Sequence, residues 1–151
     1  MRYILVYLLL FLFSLISSNA ERVTFTEIHY APKNEMPEYI EIFNNSGSAV
    51  DFACWEFTDG ITYKFPDFSA SSPQKTFMCA FERIIVTNVD ADTFRTKYTV
   101  PSNVKIFGPY AGSLSNAGEA LELEDKNGAK VCRVRYNDRG KWPVAADGAG
   151  H

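Results

Sequence analysis

Glu27 and Glu41 are the residues whose type best suits bond chemistry. A pair of carboxyl groups can cleave a glycosidic bond when one is held protonated and the other ionised. Both, however, lie inside alternating polar and apolar segments, Thr26-Glu27-Ile28-His29-Tyr30 and Glu38-Tyr39-Ile40-Glu41-Ile42-Phe43. A carboxylate in a strand more simply accepts bonds from neighbouring donors, so a structural role is the expectation for both. His29 has no nucleophile elbow to serve: no Gly-x-Ser-x-Gly exists, and the second histidine is the final residue, His151. Asp59, Asp90, Asp92, Asp125, Asp138 and Asp147 sit at turns and could offer oxygen ligands to calcium, but their spacing is not that of an EF-hand loop. Asp90-Ala91-Asp92 reads better as a helix cap. The glycine-rich stretch 108–118 lacks the lysine and the following helix of a phosphate loop. No catalytic residue, cofactor or metal is assigned.

One basic stretch could make a binding surface. Lys130, Arg133, Arg135, Arg139 and Lys141 cluster with Tyr136 and Trp142. Arg133, Arg135, Tyr136 and Trp142 form the candidate contact surface, suited to a protein or an anionic cell-surface polysaccharide. The plainer alternative is a solvated sheet face beside acidic neighbours. Nucleic acid is not an expected partner, because the net charge is −3 and phosphate binding needs a basic face. Asn44-Asn45-Ser46 fits a glycosylation sequon, relevant only in a eukaryotic secretory pathway.

The elements that must position these groups are short strands. Period-two alternation runs through 22–30, 38–43, 119–124 and 131–136, and Val23, Phe25 and Glu27 fall on one face of the first segment. Asp59-Gly60 and Asn127-Gly128 are strong hairpin signals. Residues 90–98 form the one helical candidate, with Phe94 and Tyr98 on one face. The 151 residues make room for one ordinary domain, and the 46% apolar content can fill a core. Bulky candidates for that core include Ile40, Ile42, Trp55, Phe57, Leu121 and Leu123, with Trp55 as the central plug. Residues 1–20 read as a signal peptide: Arg2, an apolar run from Tyr3 to Ile16, then Ser18-Asn19-Ala20 for cleavage after Ala20. The run is shorter than the roughly 20 residues a spanning helix needs, and no second apolar run follows, so the mature chain is expected outside the cytoplasm with no transmembrane segment. There Cys54, Cys79 and Cys132 could form at most one internal disulfide, 54–79, 54–132 or 79–132, or remain three thiols.

Taken in order, several segments resemble a lamin-tail domain of the secreted bacterial type. They are Thr26 to Tyr30, Glu38 to Asn44, Val50-Asp51-Phe52-Ala53-Cys54-Trp55 with Asp59-Gly60, Tyr63 to Pro66, Leu114-Ser115-Asn116-Ala117-Gly118-Glu119, Leu121 to Gly128, Val134 to Tyr136, and Trp142 to His151. The resemblance implies an all-β, immunoglobulin-like antiparallel sandwich with at most one short helix, spanning 21–151. It implies structural roles for Glu27, Glu41, Trp55 and Asp147. Cys54 stands where the bacterial pattern usually has glycine, and Thr26 where it often has asparagine. Relatives continue into one more strand where this chain reaches His151, so the domain is expected to lack its last strand. The function implied is a non-catalytic binding or structural module, an accessory to a longer extracellular protein. The alternative is the N-terminal fragment of a secreted kinase-like enzyme or hydrolase whose active site lies beyond His151.

Overall fold

The computed structural model describes residues 22–67 and 76–138. Within them, ten strands and one helix follow in the order β1 (Val23–His29), β2 (Tyr39–Asn44), β3 (Val50–Asp51), β4 (Glu56–Asp59), β5 (Tyr63–Lys64), β6 (Phe77–Met78), β7 (Arg83–Thr87), α1 (Ala91–Lys97), β8 (Lys105–Phe107), β9 (Ala120–Glu124) and β10 (Lys130–Arg135). One four-stranded sheet has the order β1-β2-β7-β8 and a second has β10-β9-β4-β5, while β3 and β6 pair with each other. The inner faces share one core. Ile40, Ile42, Ile84 and Val86 enter from the first sheet, and Phe57, Leu121, Leu123 and Val131 from the second. Burying each such side chain contributes about 1.5–3 kcal/mol. Trp55 is 3% exposed in this core, and Phe52, Phe65 and Phe107 meet there edge to face.

A bulge settles which face of β1 turns inward. Strict alternation puts Phe25 and Glu27 on one side and Ile28 on the other. The pairing with β2 slips between Phe25 and Glu27, so Phe25 opposes Ile42, Glu27 opposes Glu41 and Ile28 opposes Ile40. The extra residue, Thr26, resets the parity. Phe25 and Ile28 therefore both pack toward the core, and Glu27 turns outward. The expectation that Glu27 shares a face with Val23 and Phe25 is corrected on this ground. A second slip, between Lys130 and Cys132 in β10, lets Val131 and Cys132 both face the core.

Nearly all pairs are antiparallel, but β7 and β8 run parallel. A parallel pair needs a crossover, and α1 supplies it. Asp90 caps this helix, its carboxylate accepting from the Thr93 N–H at 2.9 Å. Phe94 of α1 joins Ile85 and Ile106 in a second apolar cluster on the outer side of the first sheet. Asp59 ends β4 and Gly60 opens the connection to β5, but the pairing of these strands is limited to Glu56 with Lys64 and Phe57 with Tyr63. Gly60 has φ +84, and a Cβ there would stand 2.8 Å from the Ala120 carbonyl.

Candidate functional site

The bulge brings Glu27 and Glu41 side by side on the outer face of the first sheet, as opposed residues of β1 and β2. Each is already bonded. The Tyr39 hydroxyl donates to Glu27 at 2.6 Å. Thr26 donates to Glu41 at 2.6 Å, and Arg83 pairs with it at 3.0 Å. Burial, and then the bond to Glu27, push the Tyr39 hydroxyl far above the ordinary tyrosine range. His29 stacks on Tyr39 and meets Tyr98 edge-on. Burial lowers the His29 pKa despite the opposing fields of Glu27 and Glu38. The Arg83 guanidinium lies 4.3 Å above the Phe43 ring. The cluster is a hydrogen-bonded strand surface in which both carboxylates already accept from neighbouring donors.

Glu38 and Glu119, which have no individual role in the sequence reading, and Asn44, read there as part of a sequon, carry more of the architecture. Glu38 reaches from the start of β2 to the 108–119 loop, where its Oε2 accepts from the Tyr110 hydroxyl at 2.8 Å and the Leu114 N–H at 3.0 Å. Glu119 accepts from the next amide, Ser115, at 2.8 Å and from the Tyr136 hydroxyl at 2.8 Å. Two carboxylates thus hold consecutive N–H groups of one loop. Gly118 completes the turn at φ +93, and a Cβ there would lie 2.5 Å from the Tyr136 carbonyl oxygen. Asn44 ends β2 fully buried. Its Nδ2 donates to the carbonyls of Ser48 and Cys79, each at 2.8 Å, with Met78 at 3.4 Å. Its Oδ1 accepts from the Ser46 N–H and hydroxyl. In sequence, Asn44 looks like the first residue of an ordinary turn. Glu38 is 72 positions from Tyr110, and nothing local announces that bond.

The expected contact surface is not assembled as proposed. Tyr136 is 1% exposed and stacks on Tyr30 in the core, because it follows Arg135 in the alternation and turns inward. Arg133 pairs with Glu122 at 3.2 Å and Asp59 at 3.6 Å, and Lys130 pairs with Glu122 at 3.3 Å. Arg135 is exposed on the same strand face as Arg133. The outer side of the second sheet is thus a mixed lattice rather than a basic patch. Trp142 and Asp147, the signal-peptide segment 1–20, and Arg139 and Lys141 lie outside the described residues. The large exposed apolar side chains among the described residues are Phe77, in β6, and Phe81, in the turn from β6 to β7, at 48% and 61%. Phe81 has a left-handed backbone, φ +59.

All three cysteines are free thiols. Val50 opposes Met78 in the β3–β6 pair, which sends Cys54 and Cys79 to opposite ends of it. Cys132 packs against the core, and burial pushes its thiol up to about 12. Cys54 has φ +59. Asp90 caps α1, and Asp125 accepts from the Asn127 and Ala129 N–H groups of its turn. Among the described residues, no three acidic, histidine or cysteine side chains gather to hold a metal ion. Among the same residues, no helix is long and apolar enough to cross a membrane.

A comparison with curated proteins finds no match to the chain. The Lamin Tail Domain family model matches residues 16–138. That span holds both sheets, the Glu38 and Glu119 anchors and the Asn44 hub, and it stops before Trp142. The strands, their two-sheet order and this match agree, and the chain belongs to the Lamin Tail Domain family.

Proposed function

We propose that this protein is a secreted, non-catalytic module that works by surface contact as an accessory part of a longer extracellular protein. The observation that carries the reading is the fate of its carboxylates. Glu27, Glu38, Glu41 and Glu119 each accept bonds from the domain's own hydroxyls, amides or guanidinium. Groups committed to holding strands and loops are poorly placed to exchange protons with a substrate. The contact surface is better sought at Phe77 and Phe81 than along β10. Exposed phenylalanines offer apolar area without the hydroxyl or indole N–H that polar ligands use, which favours a protein partner over a polysaccharide.

The test pairs Glu27→Gln and Glu41→Gln with assays on glycoside, ester and phosphodiester substrates. No turnover is expected from the parent or either variant. Glu41→Gln should lose about 0.5–1 kcal/mol of stability through its weakened Arg83 pair. Turnover by the parent that vanishes in a variant with an unchanged melting curve would overturn the reading. The intact mass of the natural secreted protein would show directly whether a leader is removed and whether further domains follow.

A further inference from the structure

The sequon Asn44-Asn45-Ser46 is the one sequence motif that the surface-contact reading leaves unused. Its acceptor atom is Asn44 Nδ2. Glycan transfer joins that nitrogen to the anomeric carbon of a lipid-linked oligosaccharide, breaks that carbon's bond to the lipid pyrophosphate, and releases one Nδ2 proton. The nitrogen must therefore face solvent and give up a hydrogen. In the folded domain it does neither. Asn44 is 0% exposed. Its two amide hydrogens are directed at Ser48 and Cys79, with Met78 close by. The sequon hydroxyl, Ser46 Oγ, donates to Asn44 Oδ1 at 2.7 Å and fixes the amide in that orientation. Asn45 and Phe81 close the site further, through Asn45 N–H to the Arg22 carbonyl at 2.7 Å and Phe81 N–H to the Ser46 carbonyl at 3.3 Å.

We infer that Asn44 is a modification site closed by folding: a glycan acceptor only until the β6–β7 turn docks on the end of β2, and barred from the native state once it is glycosylated. A sugar on Nδ2 would occupy the space of the carbonyls it now binds. It would also remove one of the two hydrogens that satisfy them, and buried carbonyls without partners are costly. In a eukaryotic secretory pathway the sequon would therefore act as a folding checkpoint rather than a decoration. The inference holds whatever the module's partner is, because it depends only on the packing around Asn44.

The full chain, directed into the secretory pathway of a eukaryotic cell, tests this when it also carries Ala129→Thr. That change makes a sequon of Asn127-Gly128-Thr on the exposed β9–β10 turn. Glycopeptide mass spectrometry would read both sites, on secreted and on total cellular protein. Expected are secreted molecules glycosylated at Asn127 and bare at Asn44. Adding Met78→Asp, which puts a charge at a fully buried position of β6, should raise Asn44 occupancy in total protein severalfold. Secreted protein that bears a glycan on Asn44 and still unfolds cooperatively would overturn the inference. So would a Met78→Asp chain whose Asn44 stays as bare as in its parent while Asn127 is modified, since folding would then not be what protects it.

Discussion

Cys54 takes up a backbone torsion that glycine adopts without steric cost. Its φ of +59 lies in the left-handed region, where a side chain costs about 1–2 kcal/mol. This gives a physical sense to the glycine that the lamin-tail resemblance implies at this position. Replacing Cys54 with Gly should raise stability by up to about 1 kcal/mol, since the larger backbone entropy of unfolded glycine offsets part of the relief. Urea denaturation would measure it, and a drop of similar size would mean that the thiol packs better than its half-buried position suggests. The buried hydroxyls make a second prediction. Burial raises the pKa of Tyr110, Tyr136, Tyr39 and Tyr63, and pushes Tyr98 up to about 12. Carboxylates beside four of them, all but Tyr63, add to the shift, and Cys132 follows from burial alone. In each case the folded state favours the neutral form. The stabilisation is complete below the unfolded pKa, about 9 for the thiol and about 10 for the phenols, and fades as pH rises toward the folded values. Stability should hold to about pH 9 and then fall steeply. Tyrosinate absorbance that grew without loss of β-sheet signal would contradict this.

At the scale of elements, the strands were readable where alternation was clean. Residues 38–43 and 119–124 kept the parity their sequence implied, because nothing interrupts β2 or β9. The first segment misled because its bulge inserts Thr26, and period-two reading has no term for an extra residue. The β10 segment misled in the same way at its start, where the slip after Lys130 turns both Val131 and Cys132 inward; from Cys132 on it alternates, and only pairing with β9 shows that Arg133 meets Glu122 and that Tyr136 continues inward. The parallel β7–β8 pair was equally hidden, since Lys105–Phe107 is too short to reveal its direction. The helix was the most legible element, with an aspartate cap and two aromatics one turn apart. Asp90→Ala should remove the 2.9 Å bond to Thr93 and the 2.6 Å bond to its hydroxyl, at a cost of about 1 kcal/mol. Asp90→Asn should recover most of that, and equal losses in both variants would point to charge rather than capping.

For the whole molecule, the sandwich could be read from the order of its segments, but the contacts that hold its loops could not. Glu38, Asn44 and Glu119 act on groups that are distant in sequence or on a backbone whose path only the fold defines. Tyr136, expected to meet a partner, stacks instead on Tyr30 in the core between the two sheets. The β7–α1–β8 stretch has one more consequence. Its apolar cluster of Ile85, Phe94 and Ile106 is separate from the main core, so α1 is held by a small local set of contacts rather than by the meeting of both sheets. Such a segment can detach while the sandwich stays closed, forming a cooperative unit of its own. Hydrogen–deuterium exchange should therefore resolve two classes of amide. Those of α1 should exchange through a local opening well below the global unfolding energy, while those of β2 and β9 should exchange only when the whole domain comes apart.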